Sequence, residues 1–129
     1  MNTIINLSLS MKSKMNEITE RQVQTECLDI LNIYGFEAIR INSGMVEVQG
    51  KKRNHKIRLA PAGTSDIIAC APDGVFWAVE IKRPGNEPTE RQMKFLEKID
   101  ERKGVAVWTD SSEWLEGFVK EKGFKRFVM

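Results

Sequence analysis

At 129 residues the chain has room for one domain and one core, not two. Hydrophobic residues at 41% and charged residues at 29% are the balance of a soluble globular protein. A formal net charge of +2 is too small to imply a polyanion partner by itself, so any basic surface must come from local clustering. No apolar stretch reaches the roughly 18 residues of a membrane span, and no membrane partner is expected.

Residues 1–16 lack a positive segment ahead of their apolar residues and a small-residue cleavage pattern, so they do not read as a signal peptide. They read as an N-terminal arm, loosely held or packed on a partner subunit. The domain is expected over residues 17–129. Thr19 is a good helix N-cap, with Gln22 at the capping-box position. Val23, Cys27, Ile30, Leu31 and Tyr34 then recur at helical spacing, and Gly35 ends the helix. Phe36–Ile41 alternates as a strand, and Asn42-Ser43-Gly44 is a turn. Met45–Gln49 and Lys56–Ala60 read either as a β-hairpin inserted at the sheet edge or as a mobile loop.

Asp66–Ala71 and Val75–Lys82 are predicted strands joined by Pro72-Asp73-Gly74. Thr89 caps a second helix, with Met93, Leu96, Ile99 and Phe95 on its apolar side. Val105–Trp108 is a buried strand. Ser111 or Ser112 caps a third helix, with Trp114, Leu115, Phe118 and Val119 inward. Phe124–Met129 reads as a short last strand. The order predicts an α/β domain with a mixed β-sheet flanked by helices. Cys27 and Cys70 sit in apolar runs and read as reduced, buried residues of a cytoplasmic protein.

Asp66, Glu80 and Lys82 stand out because charges close to buried strands are costly unless paired or bound to a metal. The connecting loop decides whether they meet. A two-residue Asp73-Gly74 loop puts Asp66 opposite Ile81, facing away from Glu80. A three-residue Pro72-Asp73-Gly74 loop puts it opposite Glu80. Proline at the first position and glycine at a left-handed third position favour the second case. Two carboxylates about 5 Å apart repel unless something positive lies between them. Hard oxygen donors with open water positions suit Mg2+ or Mn2+. Glu20 could supply a third carboxylate and Lys82 could orient a water, a set suited to phosphodiester hydrolysis. On spacing alone an ordinary Glu80–Lys82 strand-end pair, with Asp66 capping a turn, fits equally well.

The pattern Asp66-x13-Glu80-x-Lys82 resembles the PD-(D/E)xK nuclease signature. More narrowly, residues 18–110 resemble the VRR-NUC branch, including its small stand-alone, phage-type members. Glu20-x-x-Val23-Gln24, Arg40-x-Asn42-Ser43-Gly44, Gly63–Ile68, Val79–Lys82 and Thr89–Gln92 with Phe95 carry the resemblance. It implies a restriction-endonuclease-like αβββαβ core and a DNA endonuclease using Mg2+ or Mn2+. Asp66, Glu80 and the Ile81 carbonyl would bind the metal, with Lys82 as the catalytic lysine. Glu20 matches a helix carboxylate of the superfamily, acting directly or through water, and Gln92 matches a recurrent glutamine near the site. The usual proline before the aspartate is Ser65 here, a difference in turn shape rather than chemistry. The resemblance further implies branched DNA such as a Holliday junction as substrate and a homodimer as the acting form, and it leaves room for a helicase or replication partner. Flap or plain duplex cleavage and a non-catalytic DNA-binding module are the alternatives.

Lys51, Lys52, Arg53, His55, Lys56 and Arg58 form the densest basic tract. As phosphate contacts they would position DNA without reading sequence; equally, they are a solvated hairpin tip. Arg83 and Lys94 add charge near the proposed site. His55 is the sole histidine and lies in a polar run, so it reads as an exposed surface residue. Trp77, Trp108 and Trp114 read as core rather than stacking platforms.

Overall fold

A computed structural model describes residues 4–7, 19–41 and 45–127. Its strands are β1 (Ile5–Leu7), β2 (Glu37–Arg40), β3 (Met45–Val48), β4 (His55–Arg58), β5 (Ile67–Cys70), β6 (Phe76–Ile81) and β7 (Val105–Thr109). The described helices are α1 (Glu20–Ile33), α2 (Glu90–Glu101) and α3 (Ser112–Glu121). Five strands form a mixed sheet in the order β1-β7-β6-β5-β2. β2, β5 and β6 run antiparallel to their neighbours; β6, β7 and β1 run parallel. The result is the expected α/β arrangement of a mixed sheet flanked by helices.

β6 is the centre of the sheet, and all its residues after Phe76 are buried. Trp77, Val79 and Ile81 face α1 and α3, where Val23, Cys27 and Leu31 meet Leu115, Phe118 and Val119. The Trp77 ring has Phe36 edge-on at 4.9 Å and Phe118 at 5.5 Å, so one aromatic knot joins sheet and helices. On the opposite face the small residues Ala78 and Ala106 leave room for α2, whose Leu96 packs on them and on Trp108.

The same tetrapeptide, Thr-Glu-Arg-Gln, opens both α1 and α2 and builds a full capping box each time. At the far end of α1, Gly35 at φ +82° lets Phe36 N–H return to Leu31 O at 3.0 Å, closing the helix as expected. The Pro72–Gly74 turn has its glycine at φ +86° and an Ala71 N–H to Val75 O bond of 2.9 Å. This is the three-residue loop with a left-handed glycine that the residue types favour.

Several expectations are corrected. Ile5–Leu7, read as part of a loosely held arm, is an edge strand paired with Val107–Thr109. The 45–60 segment is a hairpin, but it forms its own two-stranded sheet, with Met45 opposite Arg58, and does not extend the main sheet. Phe124–Phe127 is irregular rather than a strand, held by Phe127 N–H to Ile33 O at 2.7 Å. Trp114 is 48% exposed. The inward stripe of α3 is Leu115, Phe118 and Val119, and Trp114 lies about 100° round the helix from Leu115. Cys27 is buried as expected, and burial followed by the Glu26 charge pushes its thiol up to about 12, making it inert. Cys70 is exposed, because α2 covers β7 and β6 on that face and stops short of β5. The Asn42-Ser43-Gly44 turn, residues 1–3 and 8–18, which include most of the arm, and the last two residues lie outside the described residues. Among the described residues no helix is long and apolar enough to cross a membrane.

Candidate functional site

The β5–β6 ladder pairs Ile67 with Val79, and one step further in that register Asp66 stands across from Glu80. In this alternation Ile81 N–H would next meet the Ser65 carbonyl. Instead it donates to Asp66 Oδ2 at 2.8 Å. The Asp66 side chain therefore takes the place of a strand carbonyl where the two strands part. Ser65 is itself buried, and its hydroxyl donates to Ile67 O at 3.0 Å, fixing the turn that presents Asp66.

Glu80 is 1% exposed, yet no donor reaches either carboxylate oxygen. Burial first, and the facing Asp66 second, drive its pKa far above the usual carboxylate range; the Glu20 charge adds to this and Lys82 opposes it. With both acids ionised, Asp66 and Glu80 offer each other only acceptors. A proton between them makes a carboxyl–carboxyl hydrogen bond. The arrangement thus calls for a positive species, either a proton or a cation.

Glu20 is the first residue of α1 and is half-buried beside this pair. Burial and the Asp66 charge raise its pKa, while Lys82 and a hydrogen bond from Arg83 N–H hold it down. Glu90, its counterpart in the second Thr-Glu-Arg-Gln, is exposed and salt-bridged to Lys94 instead. Identical local sequence thus gives identical capping, and the tertiary setting alone separates a site carboxylate from a surface one.

Lys82 follows β6 directly, and its N–H bonds to Thr109 O at 3.0 Å, tying the strand end to β7. Thr109, Asp110 and Ser111 are buried polar residues at that same end of β7. Thr109 Oγ1 donates to Ser111 O and accepts from Ser111 N–H, both at 3.0 Å, so the junction into α3 is rigid. This support is not announced by any motif in the sequence. Its one visible signal is a polar Thr-Asp-Ser run straight after a buried strand.

The site thus brings together Glu20, Asp66, Glu80 and Lys82. Gln92 is engaged elsewhere: its Oε1 accepts from Thr89 N–H at 2.8 Å in the α2 capping box. Lys51, Lys52, Arg53 and Lys56 are exposed on the separate β3–β4 hairpin, as is His55, and Arg83 is exposed just past Lys82. Among the described residues no three His, Cys, Asp or Glu side chains group as a metal cluster. The residues that could hold a cation are the Asp66–Glu80 pair, with Glu20 drawn aside onto Arg83 N–H. One or two carboxylates completed by waters are what Mg2+ favours, and the two orphaned Glu80 oxygens fit that need.

Compared with protein-family models, curated proteins and solved structures, the chain matches none.

Proposed function

We propose that the chain is a divalent-metal-dependent DNA endonuclease with a restriction-endonuclease-like core. The observation that carries this reading is the buried, unpartnered Glu80 carboxylate across the ladder from Asp66. Two acids held there at the expense of stability need a function that uses their charge. The order α1, β2, β5, β6, α2, β7 matches the αβββαβ core that the PD-(D/E)xK resemblance implies.

Asp66 and Glu80 would hold Mg2+ or Mn2+, with the Ile81 carbonyl as the further ligand that the resemblance implies. The cation supplies Lewis-acid stabilisation of the charge that builds on a phosphodiester during hydrolysis. Lys82 places an ammonium where it orients the attacking water and balances phosphoryl charge. Glu20, held by Arg83 N–H, keeps its free acceptor capacity for ordered water. The water oxygen bonds to phosphorus and loses its proton to solvent, while the bond to the leaving sugar oxygen breaks and that oxygen takes a proton from a solvent water to leave as a hydroxyl. Branched DNA is the favoured substrate and a two-fold dimer the favoured acting form, since a symmetric four-way junction needs two coordinated cuts.

Incubating the purified protein with a four-way junction, a flap and a linear duplex in Mn2+, Mg2+ and EDTA tests this. Metal-dependent cutting of the junction above the other two is expected. Equal cutting of all three removes junction selectivity, and no cutting of any removes the enzyme.

A further inference from the structure

A groove of about 520 Å3 runs between the Pro61–Thr64 loop and α2. Its charged lining residues are Arg91, Lys94 and Lys98, all cationic; Phe95, Pro61 and Ala62 supply an apolar floor. Arg91, Lys94 and Lys98 share one helix face and spread over about 10 Å of its axis. Lys94 is engaged by Glu90 at 3.4 Å, but both side chains are largely exposed, so that pair is worth little and yields to a stronger anion.

The groove is built, and the loop that walls it runs on in the chain to Asp66. Thr64 Oγ1 donates to Pro61 O at 2.7 Å, closing the loop on itself. Gly63 is at φ +88°, and a Cβ there would stand 2.7 Å from Arg91 O, so loop and helix meet backbone to backbone. Thr64 lines the groove and Asp66 follows two residues later.

We propose that this groove carries a single strand of nucleic acid toward Asp66 and Glu80. Arg91, Lys94 and Lys98 contact its phosphates, and a base or sugar packs on Phe95 and Pro61. The volume is that of a small-ligand pocket, enough to seat a base or sugar of one strand. A cationic track beside an aromatic surface is the chemistry of single-strand binding. Three cations spread over about 10 Å of helix can meet consecutive phosphates of one extended strand. The strand's destination rests on the nuclease reading above; its binding does not. The exposed hairpin cations Lys51, Lys52 and Arg53 then become secondary contacts.

Fluorescence anisotropy with a labelled oligothymidylate of about 15 nucleotides, in EDTA, tests this without any cleavage. Wild type is compared with R91Q/K94Q/K98Q, with K51Q/K52Q/R53Q, and on a blunt duplex. Circular dichroism establishes that each variant is folded. The groove variant should lose more than tenfold in affinity for the single strand. Its log–log salt slope should fall by about 2, roughly 0.7 per lost phosphate contact. Unchanged binding, an equal loss on the duplex, a larger loss in the hairpin variant, or no single-strand binding by wild type overturns the proposal. Loss of binding in the groove variant alongside no metal-dependent cleavage by wild type removes the nuclease and leaves the groove. Cleavage by wild type with unaltered binding by the variant removes the groove and leaves the nuclease.

Discussion

Asp66 faces Glu80 across the β5–β6 ladder while its Oδ2 holds the Ile81 N–H at 2.8 Å, so one side chain both completes the sheet and charges the site. Those two roles separate by substitution. Asp66→Asn keeps an oxygen for Ile81 N–H and removes the charge; it should fold with near wild-type stability and lose Mn2+ binding in calorimetric titration. Asp66→Ala removes the acceptor as well, leaving a donor in a buried strand unsatisfied. It should cost about 1–3 kcal/mol beyond the asparagine variant in urea melts.

Glu80 makes metal-free stability depend on pH. Its pKa is pushed up to about 10 in the folded chain, against an ordinary 4.5. Between those values the folded state keeps a proton that the unfolded state has released. The unfolded state therefore binds fewer protons, and stability falls as pH rises through that window, by at most about 1.4 kcal/mol per pH unit. Glu80→Gln should flatten the slope and raise the melting temperature at pH 8 in EDTA. Added Mn2+ should stabilise wild type at pH 8 by displacing the proton the pair still holds there, and leave Glu80→Gln nearly unmoved.

Much of this arrangement is legible in the sequence, and the reasons differ by residue. Pro72, Asp73 and Gly74 name their turn because proline fixes one backbone angle and glycine admits a left-handed one. That turn sets the register, and the register sets Asp66 against Glu80. Thr19 and Thr89 name their helix starts through local hydrogen bonds. Neither the exposure of Cys70 nor that of Trp114 is local: the first depends on how far a neighbouring helix reaches, the second on which face of α3 turns to the core. β1 is only three residues long, and its partner lies 102 positions on, at Val107 opposite Ile5. Nothing within Ile5–Leu7 signals it. Glu80's lack of a donor is likewise invisible until the strands around it are in place.

Trp77 is the packing counterpart of the site, on the opposite face of the same strand. It is 1% exposed and touches Phe36 and Phe118. Trp77→Ala should cost about 3–5 kcal/mol in denaturant melts. Because β6 also carries Glu80, the variant should lose Mn2+ affinity as well as stability.

Gly63 joins the groove's helix to the loop that leads to Asp66. Alanine there meets both an unfavourable left-handed backbone and the Arg91 carbonyl. Gly63→Ala should cost at least about 1 kcal/mol and displace the turn leading to Asp66. The expected readout is weakened Mn2+ binding with the Asp66 and Glu80 side chains intact, and a control Gly117→Ala on α3 should leave Mn2+ binding unchanged, since its backbone is not left-handed and its Cβ meets nothing within 4 Å.

The proposed function makes Asp66, Glu80 and Lys82 a metal-dependent phosphodiester-cleaving site. Its most direct test is cleavage of a labelled four-way junction in Mn2+ by wild type, Asp66→Asn and Lys82→Ala, each checked for folding by circular dichroism. Wild type should cut only with metal present, and both folded variants should lose at least about a hundredfold in rate. Cutting by wild type in EDTA, or undiminished cutting by either variant, would contradict it.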